Sequence, residues 1–284
     1  MKIWQRGTDR YLEEPEYGAG ALRFLYETVP GRALLRVAAD PRVSRWRGKY
    51  QHSPASRKDI LPFAARCGVD LTGYDPAQFS CFNDFFTRRR ENHTDAAPDE
   101  LVAVADSRLS VWPVTEDLVL NLKHSRYTLR EVVGGGFDLA PFAGGHCLVF
   151  RLAVQDYHRY VFPDSGRVVQ SAFLPGVLHT VRPVSEKHRV YARNSRAVTL
   201  LETEHFGPML QIAVGAMLVG AICNHQVSEF ARLQEKGYFE YGGSTVLLVV
   251  PANVRIDEDL LAQSRLGFET QVTVGEKIGG IEAC

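Results

Sequence analysis

Two hydrophobic patterns divide the chain. In residues 19–39, Leu22, Leu25, Tyr26 and Val29 return at helical spacing. Pro30-Gly31 interrupts that stripe, and Leu34, Leu35 and Val37 continue it. A second helical region covers 55–91, where Asp59-Ile60-Leu61-Pro62-Phe63 reads as a helix start with proline in its first turn. The aromatic stretch Phe79-Ser80-Cys81-Phe82-Asn83-Asp84-Phe85-Phe86 reads as a core anchor, and Arg88, Arg89 and Arg90 after it as phosphate or membrane contacts. Further on, short β-branched runs alternate with Gly, Pro and Asp, the pattern of a mostly β domain.

Strands are expected at Val102–Ser107, Cys147–Leu152 and Val177–Val181, and residues 272–279 read as a closing strand and turn. Phe206–Asn224 is nearly free of charge and long enough to suggest a membrane span. Pro208, Gln211, Gly215 and Gly220 break it instead into two short buried strands. The last apolar run, Val246-Leu247-Leu248-Val249-Val250, reads as a buried strand entered from a Gly-Gly-Ser-Thr turn at 242–245. The fold class is therefore α+β. A helical N-terminal region, 1–95, precedes a mostly antiparallel β-sandwich or barrel-like catalytic domain, 96–284.

Charge changes the picture locally, not globally. Lys plus Arg and Asp plus Glu both number 33 in 284 residues, which gives no sign of a nucleic-acid partner. The N-terminal helices are basic, with Arg23, Arg32, Arg36, Arg42, Arg45, Arg47 and Lys49 among their apolar residues. Such helices suit either an anionic membrane surface or a hairpin packed on the catalytic domain. The five cysteines include no Cys-x-x-Cys pair, so no zinc site or disulfide framework is expected. The start, Met1-Lys2-Ile3-Trp4-Gln5-Arg6, lacks the apolar stretch of a secretory signal.

The candidate chemistry centres on Ser244. Gly-Gly-Ser-Thr before a strand is by itself an ordinary turn. Three pieces upstream give it context: Ala105-Asp106-Ser107-Arg108, Asp156-Tyr157-His158-Arg159, and Phe206-Gly207 followed by Val214-Gly215-Ala216-Met217-Leu218-Val219-Gly220. Together with Gly242-Gly243-Ser244-Thr245, and with Phe82-Asn83-Asp84-Phe85-Phe86 ahead of them, they resemble the phosphatidylserine decarboxylases over nearly the whole chain. The resemblance implies that Ser244 attacks the carbonyl of Gly243, that the chain splits between these residues, and that Ser244 becomes an N-terminal pyruvoyl group. That covalent group is the cofactor, and no metal is expected. Its carbonyl accepts the substrate amine and drains the electrons left by departing CO2.

A serine hydroxyl needs a base, a histidine can serve near neutral pH, and an acid can fix the histidine's tautomer. The expected set is Asp106, a histidine and Ser244. The family commonly carries Tyr-His-Arg-x-His, with the second histidine in the cleavage relay; here that position is Val161. His158 keeps the first position, which the resemblance gives to substrate binding and proton handling. The relay then falls to His158 as well, or to His179, our candidate replacement.

The resemblance implies a peripheral enzyme on the cytoplasmic face of the cell membrane, acting on phosphatidylserine, with its own α and β chains as partners. A homodimer is compatible with the sequence. Two alternatives remain open: a pyruvoyl decarboxylase of a free amino acid, and an uncleaved binding module at the membrane.

Overall fold

Val246, Leu248 and Val250 enter one hydrophobic core, while Leu247 and Val249 enter another on the opposite face. Alternation along a strand puts neighbouring side chains on opposite faces, so a strand buried on both sides reads as a continuous apolar run. The strand Ser244–Val250 lies fifth in a ten-stranded sheet. Its neighbours, Gly207–Gly215 and His146–Leu152, are both antiparallel to it. A computed structural model of the chain describes residues 2–8, 10–15, 17–122, 125–217, 221–242 and 244–281.

The sheet is open, running from Glu229–Phe230 at one edge to Arg10–Glu13 at the other, so the fold is α+β without a closed barrel. Its described pairs are antiparallel except one, in which Lys2–Gln5 runs parallel to Glu269–Val272. The N-terminal region is thus not wholly helical. Ile3 and Trp4 are buried in the sheet because their strand is held on both sides. A smaller sheet, ordered Ile222–Asn224, Glu235–Phe239 and Arg159–Val161, carries the chain on both sides of the site.

Two expected strands differ. Residues 177–181 form no strand; only Val177 makes a bridge, to Asn194. Four of their N–H groups have separate partners: Val177 donates to Arg193 O, Leu178 to Ala39 O, His179 to Asn194 Oδ1 and Thr180 to Tyr26 Oη. The expected strand 102–107 divides instead between Glu100–Val102 and Ser107–Pro113, which belong to different sheets.

The helices of the N-terminal region are α1 (Ala19–Glu27), α2 (Val29–Ala38), α3 (Pro41–Gln51), α4 (Ile60–Cys67) and α5 (Phe82–Phe86). The side chain of Thr28 caps α2 by accepting from Gly31 N at 3.0 Å. Gly31 permits the tight α1–α2 corner, since a Cβ there would lie 1.8 Å from Phe24 O. Asp40 caps α3, with Pro41 in its first turn. Phe63 of α4 joins Phe82, Phe85 and Phe86 of α5 in an aromatic cluster that reaches Tyr241. The arginines after α5 do not all face outward. Arg88 is buried over the Phe85 ring, and Arg90 pairs with Asp106.

Candidate active site

Ser244 begins the central strand and is fully buried. It shares strand parity with Val246, so its side chain turns toward the core that also receives Val161 and Phe239 of the small sheet. The chain approaching it is pinned residue by residue. Phe239 N donates to His158 O at 3.0 Å, Glu240 N to Ala221 O at 3.0 Å and Tyr241 N to Asn83 Oδ1 at 3.3 Å. Gly242 has φ +140°, a conformation glycine adopts without Cβ strain. Gly243, the other half of the expected cleavage site, lies outside the described residues, as do Leu218, Val219 and Gly220 of the third motif.

His158 is fully buried, and its Nδ1 lies 3.2 Å from Ser244 Oγ. Its Nε2 lies 3.0 Å from the carbonyl oxygen of Ala153. A carbonyl can only accept, so Nε2 carries the ring proton and Nδ1 offers its lone pair to the serine hydroxyl. The Phe86 ring covers the imidazole, with centroids 4.2 Å apart. Burial, and secondarily the nearby Arg88 charge, pushes His158 down to about 3 against the pull of the Ala153 hydrogen bond. The ring is therefore neutral at physiological pH and able to take a proton.

The other expected site residues sit elsewhere. Asp106 Oδ1 accepts from Val274 N at 2.9 Å and from Arg90 Nη2 at 2.6 Å. Arg90 lies over the Tyr157 ring, 4.4 Å from its centroid, beside His158 in sequence. Asp106 thus reaches the site through Arg90 and Tyr157, and no contact joins it to His158 or His179.

The His179 ring faces α1. Tyr26 Oη accepts the Thr180 N–H at 3.0 Å and donates its own proton to His179 Nδ1 at 3.1 Å. Burial, and then the neighbouring His188, pushes His179 down to about 4. Its backbone nevertheless connects to the site. Asn194 Nδ2 donates to both His179 O and Gly215 O at 2.8 Å, and Gly215 is the strand partner of Ser244.

A cavity of about 750 Å³ opens beside Gly242. Leu22 and Leu25 of α1, Phe63 of α4, Met217 and Tyr241 give it apolar walls, and Arg23 and Arg66 supply positive charge. Among the described residues, no group of three or more His, Cys, Asp or Glu side chains converges as a metal site. Thr245 Oγ1, next to Ser244, is buried with no hydrogen-bond partner among the described residues.

Several supports were not legible in the sequence. Ala153 contributes a backbone carbonyl, which no residue type marks. Asn83 and Asn194 act through buried amides, and Asn83 sits in the aromatic stretch that reads as a core anchor. Asp156, two residues before His158, carries no sequence mark of its own role.

Fold and site define an enzyme built around a buried serine–histidine pair at the mouth of a mixed apolar and basic cavity. The phosphatidylserine decarboxylase family model matches residues 82–280. Phosphatidylserine decarboxylase proenzyme 2 of Clostridium acetobutylicum is 39% identical, over 98% of this chain and 98% of its own. The phosphatidylserine decarboxylase proenzymes of Desulfitobacterium hafniense, at 34%, and Clostridium perfringens, at 32%, also cover 98% of this chain. They are matched over 98% and 99% of their own lengths. The chain belongs to the phosphatidylserine decarboxylase family.

Proposed function

We propose that this chain cleaves itself between Gly243 and Ser244 and then decarboxylates phosphatidylserine to phosphatidylethanolamine and CO2. The observation that carries the reading is the 3.2 Å contact between Ser244 Oγ and the lone-pair nitrogen of His158. His158 Nδ1 takes the hydroxyl proton as the oxygen attacks the Gly243 carbonyl. The backbone shifts from amide to ester. Removal of the Ser244 α-proton then breaks the ester C–O bond and frees the Gly243 carboxylate. Hydrolysis of the resulting dehydroalanine releases ammonia and leaves pyruvoyl.

The residues around Ser244 fit that group. They offer a neutral imidazole on one side and a cavity next to Gly242. Once formed, pyruvoyl supplies a carbonyl that draws off the electrons released with CO2. Ser244 Oγ leaves with the Gly243 carboxylate, so His158 then faces the carbons of residue 244, where it holds or delivers a proton, and Phe86 and Phe239 keep the site dry. Asp106 supports the histidine through Arg90 and Tyr157.

A lipid substrate is supported by the cavity and by the helices beside it. Phe24, Val29, Leu34, Val37 and Trp46 are exposed on α1 to α3, among the exposed Arg32, Arg36, Arg42, Arg45 and Arg47. That combination suits an anionic bilayer surface, on which the enzyme sits peripherally at the cytoplasmic face. No helix among the described residues is long and apolar enough to cross a membrane. The test is CO2 release from phosphatidylserine vesicles against free serine. Release from the lipid alone supports the reading, and equal release from serine contradicts the lipid assignment.

A further inference from the structure

Outside the serine–histidine pair, the densest set of buried charges lies behind Ala153. Asp156 accepts from Arg108 Nη1 through both carboxylate oxygens at 2.8 Å and from Ala153 N at 2.7 Å. Asp156 N donates back to Ala153 O at 3.0 Å, closing a tight turn over 153–156. That same Ala153 oxygen accepts from His158 Nε2. Arg108 Nε pairs with Glu14 Oε1 at 2.9 Å, and Glu14 Oε2 with Arg151 Nη2 at 2.7 Å. Arg151 Nε also donates to Glu269 Oε2 at 2.9 Å. Arg108, Arg151 and Glu269 are each less than a tenth exposed.

Glu14 belongs to the segment that leads from the edge strand Arg10–Glu13 into α1, the helix that walls the cavity. A hydrogen-bonded line therefore runs from the N-terminal arm through Arg108 and Asp156 to the turn whose carbonyl fixes the histidine.

We infer that Asp156 is a positioning residue for the Ser244–His158 pair, and that Glu14 couples its hold to the seating of the N-terminal arm. Asp156 acts on the reaction only through Ala153: it fixes where that carbonyl points, and hence which nitrogen of His158 is bare. The inference rests on the proposed self-cleavage.

Titration gives the role a signature. Burial raises Asp156 to about 6, Arg108 opposes the rise, and the Asp106 charge adds to it. The groups bearing on Asp156 are Arg108 and Asp106 from the neighbouring strand and the loop before it, with Glu14 beyond Arg108. His158, at about 3, keeps its neutral form across that range. Acidification through about 6 neutralises Asp156 and frees Arg108, while His158 stays unprotonated. Self-cleavage should then fall with an acid limb near 6 that belongs to the carboxylate.

The experiment follows splitting of the full-length chain over time in cell-free synthesis, from pH 5 to 8. Asp156→Asn keeps an acceptor for Ala153 N but carries no charge. Its rate at pH 7.5 should drop about tenfold or more, with no limb near 6, as expected for disturbed general-base geometry. Arg108→Lys retains charge but cannot hold Glu14 and Asp156 through separate nitrogens; it should move the limb to higher pH, and this holds even where Asp156→Asn fails to fold. Glu14→Gln should slow splitting several-fold. A wild-type limb in Asp156→Asn, or an unmoved limb in Arg108→Lys, overturns the positioning role. A wild-type rate in Glu14→Gln overturns the coupling to the arm. Ser244→Ala, run in parallel, separates the two claims: if it splits, the cleavage reading falls and this inference with it.

Discussion

His158 donates its Nε2 proton to the Ala153 carbonyl at 3.0 Å, the place a carboxylate fills in a serine hydrolase triad. A neutral carbonyl fixes the tautomer as a carboxylate does, but it gives much less help to a charged imidazolium. Burial therefore dominates and pushes His158 down to about 3 despite that hydrogen bond. Such a base is weak, and self-cleavage requires it once per chain.

His158→Ala should therefore block splitting, by the 10²- to 10⁴-fold typical of a lost general base. His179→Ala should split at close to the normal rate, because its ring faces Tyr26. Intact mass of both variants checks this. If instead His179→Ala stays whole while His158→Ala splits, the relay belongs to His179.

Asp106→Asn keeps an acceptor for Val274 N but weakens the Arg90 pair, and with it the support of Tyr157. Precursor should accumulate, and the fraction that matures should decarboxylate at the normal rate. A denaturing gel read beside CO2 release per pyruvoyl checks this; full processing with defective turnover contradicts it.

Stability should depend on pH through the buried histidines. His179 is depressed to about 4, so between its unfolded value near 6.5 and about 4 the unfolded chain binds the extra proton. The stability it contributes is present above about 6.5 and is lost as pH falls. In that window the loss approaches about 1.4 kcal/mol per pH unit for one histidine. Asp156, raised to about 6, works in the opposite direction. Urea unfolding at pH 7, 6 and 5 should show a shallower decline in His179→Gln than in the unsubstituted chain. Equal slopes would mean that His179 titrates normally.

The membrane face can be tested without truncation, since Ile3 and Trp4 belong to the core. Arg42, Arg45 and Arg47 on α3 are exposed, and each contributes about 1 kcal/mol near an anionic surface. Replacing all three with Gln should weaken sedimentation with phosphatidylglycerol vesicles on the order of 100-fold. Trp46→Ser should weaken it further. Binding that ignores both the substitutions and added salt rules this face out.

The central strand and its serine were legible because a two-faced buried strand leaves an uninterrupted apolar run, 246–250, with a glycine pair ahead of it. The α1–α2 break at Pro30-Gly31 was legible for a similar local reason. What the sequence hid was made by partners far along the chain. Residues 177–181 look like a strand, yet their N–H groups are taken by α1, by Ala39 and by Asn194. Lys2–Gln5 is too short to announce itself and is held by Glu269–Val272 from the other end of the chain. In the site, His158 and Ser244 were marked by motif. Their orienting group was a main-chain oxygen, which every residue has.

Intact mass of the purified chain, with Ser244→Ala beside it, tests the central claim most directly. The unsubstituted protein should resolve into two fragments, residues 1–243 with a free carboxylate and residues 244–284 headed by pyruvoyl. Ser244→Ala should remain one uncut chain. A single full-length mass for the unsubstituted protein, or splitting of Ser244→Ala after Gly243, would contradict it.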